Sequence, residues 1–264
     1  MRKVMQRIYT ALIFIFLYAP IVVMMVFSFN DSKLRGKWVG FTTDWYTNLF
    51  TDPEIISALR TTIGVAIIAT IVATMIGTFS AIGISELRGR KRSVILNINY
   101  LPVLNPDIIT AISLMGLYGF LKLELGFITM TLSHIMFCIP YVVLSVLPAV
   151  ETLEDNMVEA ALDLGATPSY AVRKVILPNI KNAIFSGALI SFTLSIDDFA
   201  ISYFTAGNGV SNLSMTIYAM ARRGINPSIN ALATIIFAGV FIFLFLSNRK
   251  AIFGEGKTST FIPQ

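Results

Sequence analysis

The sequence predicts an all-α, polytopic membrane protein with six transmembrane helices, and three observations predict it. The first is composition: 55% of the 264 residues are hydrophobic and 13% are charged, against about 25% charged in an average soluble domain. The second is the grouping of the apolar residues into six long runs, near 8–29, 62–84, 94–120, 125–150, 179–205 and 228–247. A helix needs about 20 mostly apolar residues to cross the hydrocarbon core. Unpaired strand backbone is not tolerated there, and the runs lack the alternating polarity of a barrel. The third is charge placement. Thirteen Lys and Arg fall in alternate connecting segments and the tails, against seven in the remaining segments. This asymmetry predicts that both termini are cytoplasmic.

The first run, in MRKVMQRIYTALIFIFLYAPIVVMMVFSFN, is about twice the length of a signal-peptide core and has no small-residue cleavage site after it. It reads as an uncleaved first helix. The loop that follows carries Trp38, Phe41, Trp45 and Tyr46, residue types that suit a membrane-interface belt and equally a docking surface. After the second run come Arg88, Arg90, Lys91 and Arg92, a cytoplasmic link by the charge rule.

The third run is broken. Pro102 and Pro106 each remove a backbone donor and crowd the preceding turn. Asn105-Pro106-Asp107 reads as a new helix start, with Asn105 as N-cap, Pro106 first in the helix and Asp107 in the first turn. Asp107 then lies near mid-membrane, where the helix dipole stabilises it and where broken helices line buried or aqueous space. The fourth run holds the only histidine, His134, and the only cysteine, Cys138. The first reads as a hydrogen-bonding group between helices and the second as a small buried hydrophobe. No second His or Cys stands at ligand spacing, and no nucleophile–base set is evident.

Residues 151–178 link the fourth and fifth runs on the cytoplasmic side. Asp155 or Asn156 can cap a short helix. Val158, Ala161, Leu162 and Gly165 then share one face, with Glu159 and Asp163 flanking it. Gly165 suits the helix stop. Thr167-Pro168 begins a second helix that runs through Leu177-Pro178 into the fifth span.

In the fifth run, SFTLSIDDFAISYF carries the adjacent acids Asp197 and Asp198. They lie roughly 15 Å deep at 1.5 Å per residue. An Asp at the helix centre costs about 2.5–3.5 kcal/mol on insertion scales, so neither is expected to face lipid. Thr193 is a local partner for Asp197; Ser195 and Ser202 are local partners for Asp198. Two readings fit. In one, both acids are hydrogen-bonded and hold helices together. In the other, at least one lines a water-filled path and replaces hydration lost by a cation. The tail beyond residue 247 contains FGEGKTST, but Ala251 occupies the position where a phosphate-binding loop requires its first Gly. No strand precedes it and no helix follows. Any nucleotide energy must come from another chain.

EAALDLG followed by VILP is similar to the EAA signature of the membrane permeases of ATP-binding-cassette importers. Glu159, Ala160, Ala161, Gly165, Leu177 and Pro178 match it in spacing, and Val175 replaces the usual Ile. FTTDWY, NPDIITAISL, SHIMFCIPYVV, LSIDDF and NALATI extend the likeness over nearly the whole chain. Together they resemble the spermidine/putrescine (PotC-type) permease family. The resemblance implies a type I ABC importer permease fold over residues 1–264 and a bacterial inner-membrane location. It assigns ATPase coupling to Glu159, Ala160, Ala161, Leu162 and Gly165. It also implies a second permease subunit, two ATPase subunits that bind ATP and Mg, and an extracytoplasmic substrate-binding protein. On this view Asp107, Asp197 and Asp198 offer carboxylates to the ammonium groups of a polyamine. Phe199, Tyr203 and Tyr118 offer surface to its methylenes. Related permeases for ferric ion or organophosphonate share the loop motif. An ion-coupled secondary transporter using Asp107 and Asp197 is the alternative of another class, although no internal repeat supports it.

Overall fold

The computed structural model describes residues 2–32, 37–153, 155–223 and 227–247. Lys33, Arg35 and the tail with Arg249, Lys250, Lys257 and FGEGKTST lie outside them. The described residues are almost wholly helical: α1 (Arg2–Phe27), α2 (Asp44–Thr51), α3 (Pro53–Ser85), α4 (Gly89–Leu104), α5 (Asp107–Phe120), α6 (Phe127–Glu151), α7 (Asp155–Asp163), α8 (Pro168–Ala171), α9 (Leu177–Asp197), α10 (Ala200–Thr205), α11 (Leu213–Arg223) and α12 (Pro227–Ser247). They divide into two units, Pro53–Tyr218 and a second made of Met1–Asp52 with Ala219–Gln264.

In the second unit α12 packs against α1 and α2. The loop before α2 is folded onto itself around Asn30. Its side-chain amide donates to the Lys37 carbonyl at 2.9 Å, its Oδ1 accepts from Val39 N–H at 2.8 Å, and its carbonyl accepts from the Trp45 indole at 2.9 Å. Tyr46 pairs with Ser28 through their hydroxyls at 2.6 Å. Trp45 and Tyr46 therefore brace the loop, and of the four aromatics expected at a membrane interface only Trp38 and Phe41 are exposed.

The larger unit is built on three helices. α3 runs along α6, and α9 packs on both. Lipid tails are as apolar as Leu, so such helices associate through close packing of small residues. α3 accordingly buries Ala58, Ala66, Ala69, Ala73, Gly77 and Ala81. One core cluster joins Ala81 and Ile84 of α3, Val142, Val143 and Val146 of α6, Ile176 just before α9 and Ile180 in its first turn. A second joins Ala73 to Ala111, Leu114 and Tyr118 of α5, Phe137 and Cys138 of α6, and Ile201 of α10.

The helix bounds depart from the apolar runs where polar residues hide a helix or proline breaks one. α3 begins at Pro53 rather than near 62 and has 33 residues. Glu54 and Arg60 end the apolar run but not the helix, since Pro in the first turn and an acid at the N-terminus both favour helix. The third run is two helices, α4 and α5, bent by 106°. Asn105 is not the N-cap expected of it: it closes α4, donating to the Leu101 carbonyl, and Pro106 (ψ 135°) holds the cap position before Asp107. Proline forces the residue before it to extended geometry, and Asn105 has ψ 143°. Among the described residues four helices are long and apolar enough to cross a membrane, or five if the bent pair counts as one span. The sixth expected span corresponds to α12, whose apolar described part is Pro227–Gly239.

α7, the turn at Gly165 and α8 form a projecting helical hairpin. α8 continues through a π-helical turn at Val172–Ile176 into α9, so that Pro168–Asp197 is one 30-residue rod. Pro178 explains the wide turn. Its ring crowds the carbonyl four residues back and it has no N–H to donate, and Leu177 N–H reaches back to the Val172 carbonyl instead. Arg92 at the start of α4 pairs with Glu151 at the end of α6.

Candidate functional site

The fifth span is interrupted at its two acids. α9 ends at Asp197, Asp198 is extended (φ −64°, ψ 128°), and α10 starts at Ala200. The two carboxylates face different surroundings. Asp198 is 9% exposed. Its Oδ1 accepts from Ile201 N–H at 3.2 Å, and its Oδ2 accepts from Ser202 N–H at 2.8 Å and Ser202 Oγ at 2.9 Å. It thus caps α10, satisfying backbone donors that have no partner within the helix. Asp197 is exposed, and its carboxylate makes no hydrogen bond among the described residues.

Asp197 opens onto a cavity of about 320 Å³ whose lining includes Asp107, Asp197, Phe137 and Phe199. The 106° bend between α4 and α5 sets Asp107 at a helix N-terminus on this cavity. Its carboxylate is also exposed and without a hydrogen-bond partner among the described residues. Asp107 and Asp197 are 90 residues apart in sequence and share one open space. Such an arrangement can bind a cation or two linked cationic groups, with Phe199 against the apolar part between them. Asp198 also borders the cavity, but its carboxylate is turned to α10 and α6.

Other expected partners fall elsewhere. The Thr193 hydroxyl donates to the Leu189 carbonyl, not to Asp197. Ser195 pairs with His134, not with Asp198. Ser202 meets Asp198 as its spacing suggests. Tyr118 is buried in the core with its hydroxyl on Ser133, so it gives no surface to the cavity. Tyr203 is 52% exposed and packs on Phe199, with ring centroids 5.4 Å apart. Tyr218 also packs on Phe199, with ring centroids 4.6 Å apart. The sequence reading missed Tyr218 and Phe137, since no local pattern distinguishes them from other span aromatics. It also missed Asn212, whose amide donates to the Asp198 carbonyl at 2.9 Å and to Ser202 Oγ at 2.8 Å.

The second candidate surface is the α7–α8 hairpin. Gly165 has φ +86° and its N–H bonds to the Leu162 carbonyl, while Ala166 N–H reaches the Ala161 carbonyl. This left-handed stop is the glycine-dependent C-terminal motif. Thr167 caps α8 by accepting from Tyr170 N–H at 3.3 Å. Ala161, Leu164, Gly165, Ala166, Thr167 and Tyr170 line an open cleft. Leu164 is 89% exposed and Leu162 41%, and Glu159 and Ala160 are exposed beside them. The side chains of Asp155, Asn156 and Val158 lie outside the described residues.

Residues 73–250 match the model of the family described as binding-protein-dependent transport system inner membrane component. The match takes in both acids' neighbourhoods and the hairpin. Over 224 residues the chain is 38% identical to the spermidine/putrescine transport system permease protein PotC of Escherichia coli (strain K12), covering 85% of each. It is 37% identical over 241 residues to the putrescine transport system permease protein PotI of the same strain, covering 89% of this chain and 86% of that one. Among solved structures, a chain of the bacterial alginate ABC transporter in complex with alginate pentasaccharide-bound periplasmic protein superposes with a TM-score of 0.71 at 18% identity, covering 94% and 93% of the two chains. That likeness establishes the fold as that of an ABC importer permease. The chain belongs to the family of inner-membrane components of binding-protein-dependent transport systems.

Proposed function

We propose that this chain is one permease subunit of an ATP-driven importer for polyamines and forms half of the translocation pathway. Asp107 and Asp197 meet the ammonium groups of the passing substrate, while Phe199 flanks its methylenes. The identity to PotC and PotI supports the substrate class. The carrying observation is that two exposed, unpaired carboxylates share one cavity between otherwise apolar helices. Charge at that depth is costly unless it serves a hydrated path. A second permease chain would close the open side. Asp198 serves this site by shaping the helix break, and Tyr203 by backing Phe199.

Residues 1–264 act as one permease domain with both termini in the cytoplasm, by the distribution of Lys and Arg. The α7–α8 hairpin, through Glu159, Ala160, Ala161, Leu162 and Gly165, docks on a separate ATPase. Its exposed Leu164 and Leu162 and its small-residue cleft support this. Two ATPase subunits bind ATP and Mg, and a binding protein delivers substrate from outside. Coupling requires that the hairpin make different contacts in the two states of the motor.

The test is uptake of labelled putrescine by the complete complex in proteoliposomes. Asp197→Asn removes a charge-assisted contact of about 1.5–3 kcal/mol and should raise KM roughly tenfold or more. An unchanged KM in Asp197→Asn and Asp107→Asn alike would sink the reading of the acids.

A further inference from the structure

The break in the fifth span is tied to α6 through a buried polar network centred on His134, which is 1% exposed. His134 Nδ1 lies 2.7 Å from Ser195 Oγ, on the last turns of α9. Its Nε2 lies 2.9 Å from Ser202 Oγ, on α10, and 3.4 Å from Asp198 Oδ2. One imidazole therefore touches the helix before the break, the helix after it and the residue that makes it.

With a neutral imidazole, one proton arrangement satisfies every group. Ser202 Oγ has a single proton, given to Asp198 Oδ2, and it accepts from Asn212 Nδ2. The His134 nitrogen facing Ser202 must then be the N–H, donating to Ser202 Oγ and aimed toward Asp198. His134 Nδ1 accepts from the Ser195 hydroxyl. The tautomer follows from the partners. Asn212 spends its second amide proton on the Asp198 carbonyl, and its own Oδ1 accepts from Met215 N–H. The helix end before the break is met by Ser214 Oγ, 3.4 Å from the Asp197 carbonyl. Buried networks of this kind fix one geometry when every member is satisfied.

The break decides where Asp197 points. A helix continued through residues 197–199 would rotate the following residues by about 100° each, and Asp198 would leave the α10 amides. With Asp198 extended, Asp197 is the last residue of α9 and its carboxylate opens on the cavity with Asp107. Thr129 and Cys138 also join α6 to α9 and α10, but they reach the carbonyls of Thr205 and Ser191, away from the break.

We infer that His134 is a positioning residue for transport: by holding Asp198 and Ser202 it fixes the helix break and so the aim of Asp197 at the substrate. This rests on the reading of Asp197 as a substrate contact, and the experiment separates the two. Putrescine uptake by the complete reconstituted complex is measured for His134→Ala, His134→Asn, His134→Gln, Asp197→Asn and His134→Ala/Asp197→Asn. Gln can put an N–H near the place of Nε2, whereas Asn reaches only the Nδ1 side. KM should rise about five- to tenfold in His134→Ala and His134→Asn and stay within about threefold in His134→Gln. The double variant should have a KM no higher than Asp197→Asn alone, because both changes remove one contact.

Equal behaviour of the Asn and Gln variants overturns the proposal. So does multiplication of the two effects in the double variant, or a fall in Vmax and complex yield with KM unchanged. If Asp197→Asn raises KM and the His134 variants do not, the positioning role fails and the acid reading stands. If Asp197→Asn leaves KM unchanged, the positioning role fails together with the reading of Asp197 as a substrate contact. Should His134→Ala not assemble, the contrast between Asn and Gln still decides.

Discussion

Gly77 on α3 and Val142 on α6 meet so closely that a Cβ on Gly77 would lie 2.6 Å from the Val142 Cβ. A Cβ on Gly187 of α9 would lie 3.4 Å from the Val142 backbone. Val142 thus meets glycines of both neighbouring helices, and its exposure is 0%. The three-helix core turns on this contact, because close approach is the main attraction left between helices in lipid.

Gly77→Ala should therefore destabilise the permease by about 1–3 kcal/mol, the range for overpacking a filled core. Val142→Ala alone should also destabilise, by leaving a cavity. The cost of Gly77→Ala should persist when Val142 is already Ala, because alanine keeps the Cβ that the new methyl meets at 2.6 Å. Thermal unfolding of the detergent-solubilised complex measures this. Disappearance of the Gly77→Ala cost in the Val142→Ala background would mean that the backbones are not as close as described.

A second expectation concerns the hairpin. Gly165 sits at φ +86° with open space where a Cβ would stand, so Gly165→Ala meets strain but no clash. Left-handed geometry costs an L-residue about 1–2 kcal/mol. Glu159→Lys reverses an exposed charge at the same surface. Both variants should insert and express normally, yet lose most of the binding-protein-stimulated ATPase activity of the assembled complex. Full stimulation in both would remove the hairpin from the coupling route.

Much of this was legible in the sequence because membrane crossing and helix signalling are local. The apolar runs locate α6 and α12 to within a few residues, while α1 begins at Arg2, six residues before its run, because Arg2, Lys3 and Arg7 are helical but not apolar. Gly165 and Thr167-Pro168 mark the hairpin correctly, since a helix stop and a cap depend on the residue at the turn. The bend at Pro106 was legible too, although its N-cap was assigned one residue early. What the sequence did not carry is the pairing of distant polar groups. His134 and Asp198 are 64 positions apart, and nothing local says that they meet. Nor does adjacency reveal that Asp197 and Asp198 differ. Read as a continuous helix, they point about 100° apart; in the structure the chain breaks between them and gives one to the cap and the other to the cavity.

That division carries the last prediction. Asp198 accepts three hydrogen bonds at a helix start, so an amide there would lose acceptor capacity and aim a donor at donors. Asp198→Asn should lower the stability of the complex by about 1–3 kcal/mol, the cost of leaving buried groups unsatisfied. Asp197→Asn, on an exposed carboxylate without hydrogen bonds, should change stability by no more than about 0.5 kcal/mol, as surface substitutions usually do. The two variants should therefore separate by stability: Asp198→Asn shifts the melting temperature, and Asp197→Asn shifts the substrate KM at unchanged melting temperature. Because the break aims Asp197, Asp198→Asn should also raise the KM of the complex that still assembles. Equal melting temperatures for the two variants would show that Asp198 is not the cap on which the break depends.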